Sequence, residues 1–462
     1  MVWLYIKNYD EIIKSTTNEE NLKVKKWILD CIEAALRSVE PSVAVKSALK
    51  IINNKLNIRG LSFNLNSFEH IYVIGGGKAS GAMAESIEQL LGNKITEGIV
   101  NVPEGTERNY HTEIIQINPA SHPIPNENGL YGAKRMIEIA KKAGEKDLVI
   151  VLISGGGSAL MPYPADNITL QEMQNITNLL LKSGATIEEI NAVRKHISQF
   201  KGGQLAEAIY PATALTLIIS DVVGDRLDTI ASGPTAPDET TFKDAYNVLK
   251  RYNLLEKTPE NIINRIKRGL SYEIPETPKS GNKIFKKVHN IIIANNRMAL
   301  IGAMKEAVKL GLNTIILTSF LEGEAREVGT VLGSIVREIY NYNSVIKKPA
   351  MILAGGETTV TVRGQGKGGR NQELALSAAI KIRGLEGVGI ASLGSDGIDG
   401  VTDAAGGIVD STTVEKGLEY GMNPLEYLDN NDTYSFLSQT GDLIITGPTG
   451  INVNDLIFIC IS

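Results

Sequence analysis

Apolar and polar residues follow one another along this chain in a pattern that predicts strands alternating with helices. The segments Glu69–Gly75 and Asp147–Ser154 contain apolar runs without polar alternation, which predicts strands covered on both faces. Each is followed by apolar residues at helical spacing. This alternation is typical of a doubly wound α/β sheet. Further strands of the block are predicted at Gly98–Val102, Glu113–Asn118 and Leu215–Ser220, and helices at Asn21–Asn54, Ala79–Leu91, Asn126–Ala143, Leu170–Lys182 and Glu188–Lys195.

A stretch rich in proline, serine and glycine interrupts this pattern. It reads YEIPETPKSGN at Tyr272–Asn282, a composition suited to a connection between domains. We therefore predict two domains, residues 1–280 and residues 281–462. The second block alternates again, and its hairpin-like stretch Met351–Arg363 predicts a mixed sheet. Other elements predicted there are strands at His289–Asn296 and Asn313–Ser319 and a helix at Glu322–Tyr342.

Composition narrows the class of protein. With 462 residues, 43% of them hydrophobic, the chain can bury more than one core. Its net charge of -5 gives no basic field, so no nucleic-acid partner is expected. The two cysteines, Cys31 and Cys460, supply neither a disulfide framework nor a cysteine zinc cluster, which fits a reducing cytoplasm. The start Met1–Asp10 lacks a signal-peptide layout and the apolar runs are short, so we predict a cytoplasmic protein without membrane insertion.

The first chemical motif is a glycine turn that carries a lysine. The sequence IYVIGGGKAS places Lys78 where a strand ends and a helix begins. The backbone amides of Gly76 and Gly77, together with the Lys78 ammonium, can bind phosphate oxygens there. The alternative is a solvated lysine on a plain turn. The motif is not a Walker loop, because Ala79 follows the lysine, and it departs from the dinucleotide fingerprint at Ser80.

A second glycine turn follows the apolar run DLVIVLI. Its amides and hydroxyls can bind a phosphate or a carboxylate, and its residues are Ser154, Gly155, Gly156, Gly157 and Ser158. The alternative is a tight turn that needs glycine for its φ angles. A nucleophilic serine is not predicted, because the turn is not a Gly-x-Ser-x-Gly elbow and no histidine is a local partner.

Aspartates follow two later strands. Asp221 and Asp225 come after an apolar run, where carboxylates can hold a hydrated divalent cation or orient a hydroxyl group. Capping of the next helix is the alternative for either residue. Asp396 and Asp399 in GSDGIDG are close enough in sequence to share a metal ion, with turn capping as the alternative.

An arginine follows a third glycine-rich segment. The sequence GQGKGGRNQE places Arg370 after a run of glycines and at the start of a helical pattern. A guanidinium group at such a position can bind two phosphate oxygens at once. A mobile loop is the alternative explanation for the glycines.

The order of these motifs along the chain is shared with a known family. The segments are VIGGGKAS, VLISGGGSAL, NAVRKHIS, IISDVVGD, ASGPTAPD, GGRNQELAL, GSDGIDGVTDAAG and TGPTGINVNDL. In them the chain resembles the glycerate 2-kinases of the MOFRL type. The resemblance implies ATP-dependent phosphorylation of D-glycerate at the 2-hydroxyl, which gives 2-phospho-D-glycerate and ADP and requires Mg²⁺ or another divalent cation.

The resemblance also implies an architecture and a set of roles. We expect a Rossmann-like three-layer N-terminal domain, a smaller C-terminal α/β domain with a mixed sheet, an active-site cleft between them, and a homodimer. Lys78 and Arg370 would steady the transferred phosphoryl group, while the Ser154–Ser158 turn and Asn371 would bind substrate. At Ile451 the chain departs from the family's threonine, so any contact made by that hydroxyl is missing here.

Phosphoryl transfer of this kind needs no covalent enzyme intermediate, because positioning and charge neutralisation supply most of the catalysis. We expect the glycerate carboxylate on glycine-turn amides and an in-line attack of the 2-hydroxyl on the γ-phosphoryl group. Asp221 is the expected general base, and Mg²⁺ is assigned to Asp225, Asp396 and Asp399. Two other functions stay open, an NAD(P)H-dependent hydroxypyruvate reductase and a non-catalytic nucleotide or anion sensor.

Overall fold

The computed structural model describes residues 5–462 of the chain. Residues 1–4, which belong to the segment examined for a signal peptide, lie outside the described part. Within residues 5–462, every helix is either too short or too polar to span a lipid bilayer. The chain forms two compact units. One, the parallel-sheet unit, is Pro41–Ile293, and the other, the mixed-sheet unit, consists of Met1–Glu40 and Ala294–Ser462.

Strands and helices alternate over most of the described residues. The strands, in chain order, are β1 Leu49–Ile52, β2 Lys55–Ile58, β3 Leu61–Asn64, β4 Ile71–Gly76, β5 Glu97–Pro103, β6 Ile115–Ala120, β7 Leu148–Ile153, β8 Thr213–Ile219, β9 Val288–Ala294, β10 Asn313–Leu321, β11 Ala350–Gly356, β12 Val388–Gly394, β13 Gly406–Asp410, β14 Leu443–Ile444 and β15 Asp455–Ile461. The α-helices, in chain order, are α1 Tyr9–Ser15, α2 Glu19–Ser38, α3 Pro41–Ala48, α4 Ser80–Leu91, α5 Glu127–Lys142, α6 Gly157–Leu160, α7 Leu170–Lys182, α8 Ile187–His196, α9 Gln204–Ile209, α10 Phe242–Arg251, α11 Glu260–Leu270, α12 Asn296–Lys309, α13 Ala325–Tyr342, α14 Arg370–Ile382, α15 Thr413–Glu419, α16 Pro424–Asp429 and α17 Thr433–Thr440.

The parallel-sheet unit confirms the predicted α/β alternation. Its main sheet has the strand order β6-β5-β4-β7-β8-β9, and β6 to β8 are parallel to their neighbours. All residues of β4 and β7 are buried, which requires cover on both faces of the sheet. Tyr72 and Ile74 of β4 pack in one core with Met136 of α5 and Leu205 of α9. The strand order places β4 and β7 side by side, so the turns that follow them are neighbours.

A small antiparallel sheet in this unit corrects the helical prediction for Asn21–Asn54. Helix α3 ends at Ala48, and β1, β2 and β3 follow as a three-stranded sheet. The two residues between β1 and β2, Asn53 and Asn54, both have positive φ angles, 50° and 58°. Two such residues fit the two-residue turn that joins antiparallel strands with the natural twist. The apolar spacing beyond residue 48 therefore belongs to a hairpin and not to a helix.

The mixed-sheet unit has the strand order β10-β11-β15-β12-β13-β14. β10 and β11 are parallel, whereas β15 lies antiparallel between β11 and β12, and β13 and β14 add further antiparallel pairs. The predicted mixed sheet is thus confirmed, but the predicted hairpin at Met351–Arg363 is wrong. Thr359 makes only an isolated bridge with Glu324, and Val362 is 74% exposed. Val360 packs partly against the core of this unit, but the exposed Val362 covers no core, and the segment after β11 forms no strand.

The first 40 residues belong to the mixed-sheet unit because α2 packs against β12 and β15. Gly389 of β12 faces Val24 and Ile28 of α2, where a Cβ atom would lie 2.9 Å from Val24 Cγ1. Lys25 Nζ lies 2.9 Å from Asp410 Oδ2 and 2.6 Å from Asp442 Oδ1, with all three side chains buried. The compact units therefore differ from the contiguous segments 1–280 and 281–462. Helical periodicity shows that α2 has an apolar face but does not show which sheet covers it.

Candidate active site

Two glycine turns lie side by side in the parallel-sheet unit. Gly76 at the end of β4 is paired with Ile153 at the end of β7, so the chain leaves both strands at the same edge of the sheet. The Lys78 backbone N–H donates to the Gly155 carbonyl oxygen at 2.8 Å, which joins the turns directly. Carboxyl ends of parallel strands are where ligands bind in open α/β sheets. Lys78 and the turn from Ser154 to Ser158, predicted separately, therefore belong to one structure.

The hydroxyl of Ser154 takes part in hydrogen bonds within the protein. It is buried and accepts a hydrogen bond from the Ala79 backbone N–H at 3.0 Å. It also lies 3.3 Å from the Ser80 hydroxyl oxygen. A Cβ atom at Gly77, where φ is 151°, would lie 2.1 Å from Ser154 Oγ, so this close packing requires glycine. Ser154 thus supports the start of α4 through its hydroxyl oxygen.

Two backbone N–H groups of the second turn, those of the buried Gly155 and the half-buried Gly156, have no acceptor within residues 5–462. Gly77 donates to the Asn101 carbonyl and Gly157 to the Ser154 carbonyl, at 3.1 and 3.2 Å. By contrast, the N–H groups of Gly155 and Gly156 make no hydrogen bond to any group within residues 5–462. Successive free amides in a turn form a concave anion site. Of the glycines assigned to anion binding, these two fit best.

His122 lies at the same edge of the sheet, a position that its sequence context does not predict. A Cβ atom at Gly156, where φ is 78°, would lie 2.9 Å from His122 Cδ2 and 3.4 Å from Lys78 Cγ. Burial lowers the pKa of His122, and the Lys78 ammonium lowers it further. The imidazole is therefore biased toward its neutral form, which can both donate and accept a hydrogen bond.

The two predicted aspartates of this unit follow β8, the next strand of the same sheet. Ile153 of β7 is paired with Ile218 of β8, so Asp221 lies just beyond the level of the second glycine turn. Asp225 has a positive φ of 55°, and its N–H donates to the Val222 carbonyl at 3.0 Å. Both side chains are half-buried. The sheet register thus brings these aspartates to the same edge as Lys78.

Arg370 of the mixed-sheet unit is enclosed by carboxylates. Its Nη1 donates to Glu357 Oε1 at 2.8 Å and its Nη2 to Asp455 Oδ1 at 3.0 Å. Its Nε lies 2.7 Å from Asp455 Oδ2. Burial raises the pKa of Asp455 to about 6, although the Arg370 charge and hydrogen bonds from Arg370 and Asn371 oppose that rise. A guanidinium has five N–H donors, so Arg370 still has donors for a ligand.

Asn371 and Asp399 hold the start of α14 in place. Asp399 is buried and accepts the backbone N–H groups of Asn371 and Gln372, at 3.1 and 2.9 Å. The Asn371 side chain donates to Asp455 Oδ1 at 3.0 Å and accepts from the Ser392 hydroxyl at 2.6 Å. This arrangement is that of a helix cap, and it positions Arg370 as the first residue of α14.

The predicted metal ligands do not form a preformed coordination site. Among the described residues 5–462, no three His, Cys, Asp or Glu side chains come together as a group able to hold a metal ion. Both oxygens of Asp399 accept hydrogen bonds from the protein. Asp396 accepts the N–H of Ile398 at 3.2 Å, within its own turn. The predicted set with Asp225 therefore does not fit a resident Mg²⁺ ion, and no step is derived through one.

Comparison with known proteins decides the family. A family described as a domain of unknown function, DUF4147, matches residues 27–267, and the MOFRL family matches residues 350–455. A glycerate 2-kinase of Pyrococcus horikoshii is 44% identical over 439 residues, which are 94% of this chain and 97% of that protein. The chain belongs to the MOFRL-type glycerate kinase family. It is a kinase.

Other relatives of this glycerate kinase family extend the comparison. The crystal structure of a glycerate kinase from Thermotoga maritima is 42% identical, with a TM-score of 0.85 over 95% of this chain and 100% of that one. A putative hydroxypyruvate reductase of Agrobacterium vitis is 38% identical over 432 residues, 92% of this chain and 91% of that protein. The family relationship therefore covers both units.

Two residues of these clusters, His122 and Asp455, were not among the predicted site residues. His122 is followed by proline in SHPIP, and nothing in the sequence connects that segment with the Gly156 turn. Asp455 begins the last strand of the MOFRL match, far along the chain from its partner Arg370. One signal was available for Asp455, because an acidic residue directly before the apolar run LIFICI marks a strand end where side chains gather.

Proposed function

We propose that this chain catalyses the ATP-dependent phosphorylation of D-glycerate at its 2-hydroxyl, which gives 2-phospho-D-glycerate and ADP. The transfer is direct and in line, with no covalent enzyme intermediate. Relatives named as glycerate kinases, alike over nearly the whole chain, support the substrate class. In such reactions the protein contributes chiefly position and charge, because negative charge spreads over the transferred oxygens.

The observation that carries the proposal is the pair of joined glycine turns at one sheet edge. The Lys78 N–H bond to the Gly155 carbonyl fixes the lysine beside the Gly155 and Gly156 amides. The nucleotide and the acid that receives the phosphoryl group both carry negatively charged oxygens, and such oxygens need hydrogen-bond donors of this kind. On this proposal Lys78 holds oxygens of the transferred phosphoryl group, and the two amides hold an anionic group of the acceptor.

Arg370 and Asp221 receive the remaining roles. Arg370, held by Glu357 and Asp455, donates its free N–H groups to oxygens of the phosphoryl group. Asp221, beyond β8, accepts the proton of the 2-hydroxyl as the new bond forms. A carboxylate of ordinary basicity suffices, because a loose transition state removes the proton late. Ser154, Asn371 and Asp399 act as positioning residues.

Magnesium belongs to this proposal as the ion of the nucleotide substrate. Protein sites that use MgATP commonly contribute only one or two carboxylates, and phosphate oxygens and water complete the coordination. Such an ion needs no group of three protein ligands. We further propose that the protein acts in the cytoplasm as a homodimer, which size-exclusion chromatography with light scattering can test.

The experiment is product identification. Purified protein is incubated with D-glycerate, ATP and Mg²⁺, and the phosphorylated acid is examined by phosphorus NMR without proton decoupling. A doublet, from a phosphate on the carbon that carries one proton, is the expected result. A triplet would show that the protein is a kinase that phosphorylates the primary hydroxyl instead.

One relative's name makes a control reaction necessary. Because a similar protein carries the name putative hydroxypyruvate reductase, NADH and NADPH oxidation with hydroxypyruvate is measured on the same preparation. We expect no oxidation above the enzyme-free rate, since Ser80 occupies a position where the dinucleotide fingerprint has glycine or alanine. Oxidation without any phosphorylated product would reject the proposed function.

A further inference from the structure

Two positively charged side chains lie beside the second glycine turn without an acidic partner. Lys201 is 2% exposed, and its Nζ donates to the carbonyl oxygens of Ser158 and Met161, at 2.7 and 3.4 Å. Carbonyl dipoles accept hydrogen bonds from an ammonium group but do not neutralise its charge. Within residues 5–462, no carboxylate forms a salt bridge with Lys201.

Arg194 belongs to α8, and hydrogen bonds connect that helix with the same turn. Arg194 lies three residues after Asn191, so both side chains share one face of the helix. Asn191 Oδ1 accepts a hydrogen bond from the Ser232 hydroxyl at 3.0 Å, and Ser232 Oγ lies 2.8 Å from Ser158 Oγ. Among the described residues, Arg194 has neither a hydrogen-bond acceptor nor a carboxylate partner.

The two cations also affect each other. Burial lowers the pKa of Arg194 to about 10. Burial lowers the pKa of Lys201 well below its ordinary value, and the nearby Arg194 charge lowers it further. Two partly or fully buried positive charges close together are costly unless an anion joins them.

The other two buried lysines among the described residues are paired with carboxylates. Lys25 lies between Asp410 and Asp442, and Lys195, six residues before Lys201, lies 3.2 Å from Asp238. Lys195 and Arg194 are adjacent in sequence, yet only the former has an acidic partner. The missing negative charge at Arg194 and Lys201 is therefore a local feature of this site, and a ligand is the group that can supply it.

We propose that Arg194 and Lys201, with the N–H groups of Gly155 and Gly156, bind the carboxylate of the acceptor substrate. This inference rests on the proposed function and adds the residues that recognise the acid group. A guanidinium matches a planar carboxylate through two parallel hydrogen bonds. The Lys78 turn, joined to the second turn through the Gly155 carbonyl, would then hold the phosphoryl donor beside this subsite.

A nucleotide phosphate offers similar oxygens, so the test must separate the two anions. D-glycerate is compared with D-glyceramide, in which a neutral amide replaces the carboxylate, for the wild type and for Arg194→Gln. We expect Arg194→Gln to lower kcat/KM for D-glycerate about 100-fold, the typical cost of removing one partner of a buried charge pair. The rate with D-glyceramide should change less than about threefold, and the KM for ATP should stay unchanged.

Matched variants control for damage to the fold. Arg265 of α11 is also desolvated, but its Nε donates to the His196 carbonyl at 2.7 Å, so Arg265→Gln removes a buried guanidinium that already has a protein partner. We expect Arg265→Gln to retain the preference for D-glycerate over D-glyceramide. Arg194→Lys, which keeps the charge, should recover part of the loss. If Arg194→Gln keeps the wild-type preference, or raises only the KM for ATP, the carboxylate assignment is wrong.

A binding measurement separates this inference from the proposed function. Thermal unfolding of the wild type is recorded without nucleotide, with a panel of small hydroxy acids and with their amides. We expect an acid, but not its amide, to raise the melting temperature, and Arg194→Gln to abolish that rise. If the acids raise the melting temperature selectively but the protein phosphorylates no glycerate, the subsite is supported and the proposed function is wrong. Phosphorylation of glycerate with no selective effect of the acids would reject the subsite alone.

Discussion

The two clusters of candidate residues differ in how their positive charge is compensated. In the parallel-sheet unit, Lys201 donates to the Ser158 carbonyl oxygen of the second glycine turn, and neither Lys201 nor Arg194 has a carboxylate partner among the described residues. In the mixed-sheet unit, the single cation Arg370 contacts both Glu357 and Asp455. Both regions combine glycines with a basic residue in the sequence, but of these three basic residues Arg370 alone has carboxylate partners among the described residues.

This difference separates two uses of a basic residue. An uncompensated buried cation gains most from binding an anion, because the low local dielectric strengthens the interaction. A guanidinium that is already neutralised offers well-aligned N–H donors but little net attraction. We therefore expect the parallel-sheet unit to supply most of the affinity for anionic groups. Arg370 should act mainly through the direction of its hydrogen bonds, which its carboxylate partners fix.

The largest expected effect is at Lys78. Replacing it with alanine removes the charge that, on the proposed function, holds the transferred phosphoryl group, and we expect kcat to fall about 1,000-fold. Steady-state kinetics at saturating ATP and D-glycerate measure this. Lys94→Ala, at an exposed lysine after α4, is the control and should change kcat less than about twofold. Unchanged turnover of a folded Lys78→Ala protein would refute the phosphoryl role.

Asp399 tests whether the mixed-sheet cluster is a helix cap or a metal site. Asp399→Ala leaves the buried N–H groups of Asn371 and Gln372 without acceptors, so we expect the free energy of unfolding to fall by about 3 kcal/mol. Urea unfolding provides the measurement, and the free energy of unfolding should fall less for Asp399→Asn than for Asp399→Ala. A variant with unchanged stability that needs much more Mg²⁺ for activity would favour the metal-ligand interpretation.

The pH dependence of stability sharpens the picture of the Arg370 cluster. The pKa of Asp455 is raised from 3.8 to about 6 in the folded protein, so folding favours its protonated form. This contribution is complete below about pH 4 and is lost as the pH rises through 6. Relative to Asp455→Asn, the wild type should lose about 2 to 3 kcal/mol between pH 4 and pH 7. Urea unfolding of both proteins at several pH values should show the two stability curves diverging; parallel curves would contradict the raised pKa.

The smallest expected effect is that of Arg370→Lys. Lysine keeps the charge but cannot contact Glu357 and Asp455 simultaneously as a planar guanidinium does, so kcat/KM should fall about 20-fold. The control is Arg383→Lys, at an exposed arginine paired with Glu415, with an expected change below about twofold. Suppose instead that Arg370→Lys lowers activity as much as Lys78→Ala does. The direction of the Arg370 hydrogen bonds would then not be its main contribution, and the proposed difference between the two units would be wrong.

Much of the fold was predictable because it depends on local periodicity. The strands β4 and β7 and helices α4 and α5 lie within a few residues of their predicted bounds, since buried apolar runs and amphipathic spacing are visible in the sequence. The hairpin at β1 and β2 was missed because its paired asparagines occupy a helix-like apolar context. The strand expected after β11 did not form, because residues such as Val362 have no core to cover.

The candidate site was predictable in part. The glycine turns and Lys78 were apparent, because chain reversals after buried strands require glycine and leave amides exposed. The role of Ser154 was not, since its hydroxyl accepts from Ala79, a residue of another turn. Nor was the pairing of Arg370 with Asp455, 85 positions later, which depends on the antiparallel insertion of β15 between β11 and β12.

The sequence by itself therefore determined the α/β class, the family and the turns where anions can bind, since each depends on residues close together along the chain. Only the tertiary structure decided which charges are neutralised. It placed Arg370 between two carboxylates and, among the described residues, left Arg194 and Lys201 without one. The physical reason is that compensation of a buried charge depends on distances between side chains across strands and helices, and sequence spacing does not report those distances.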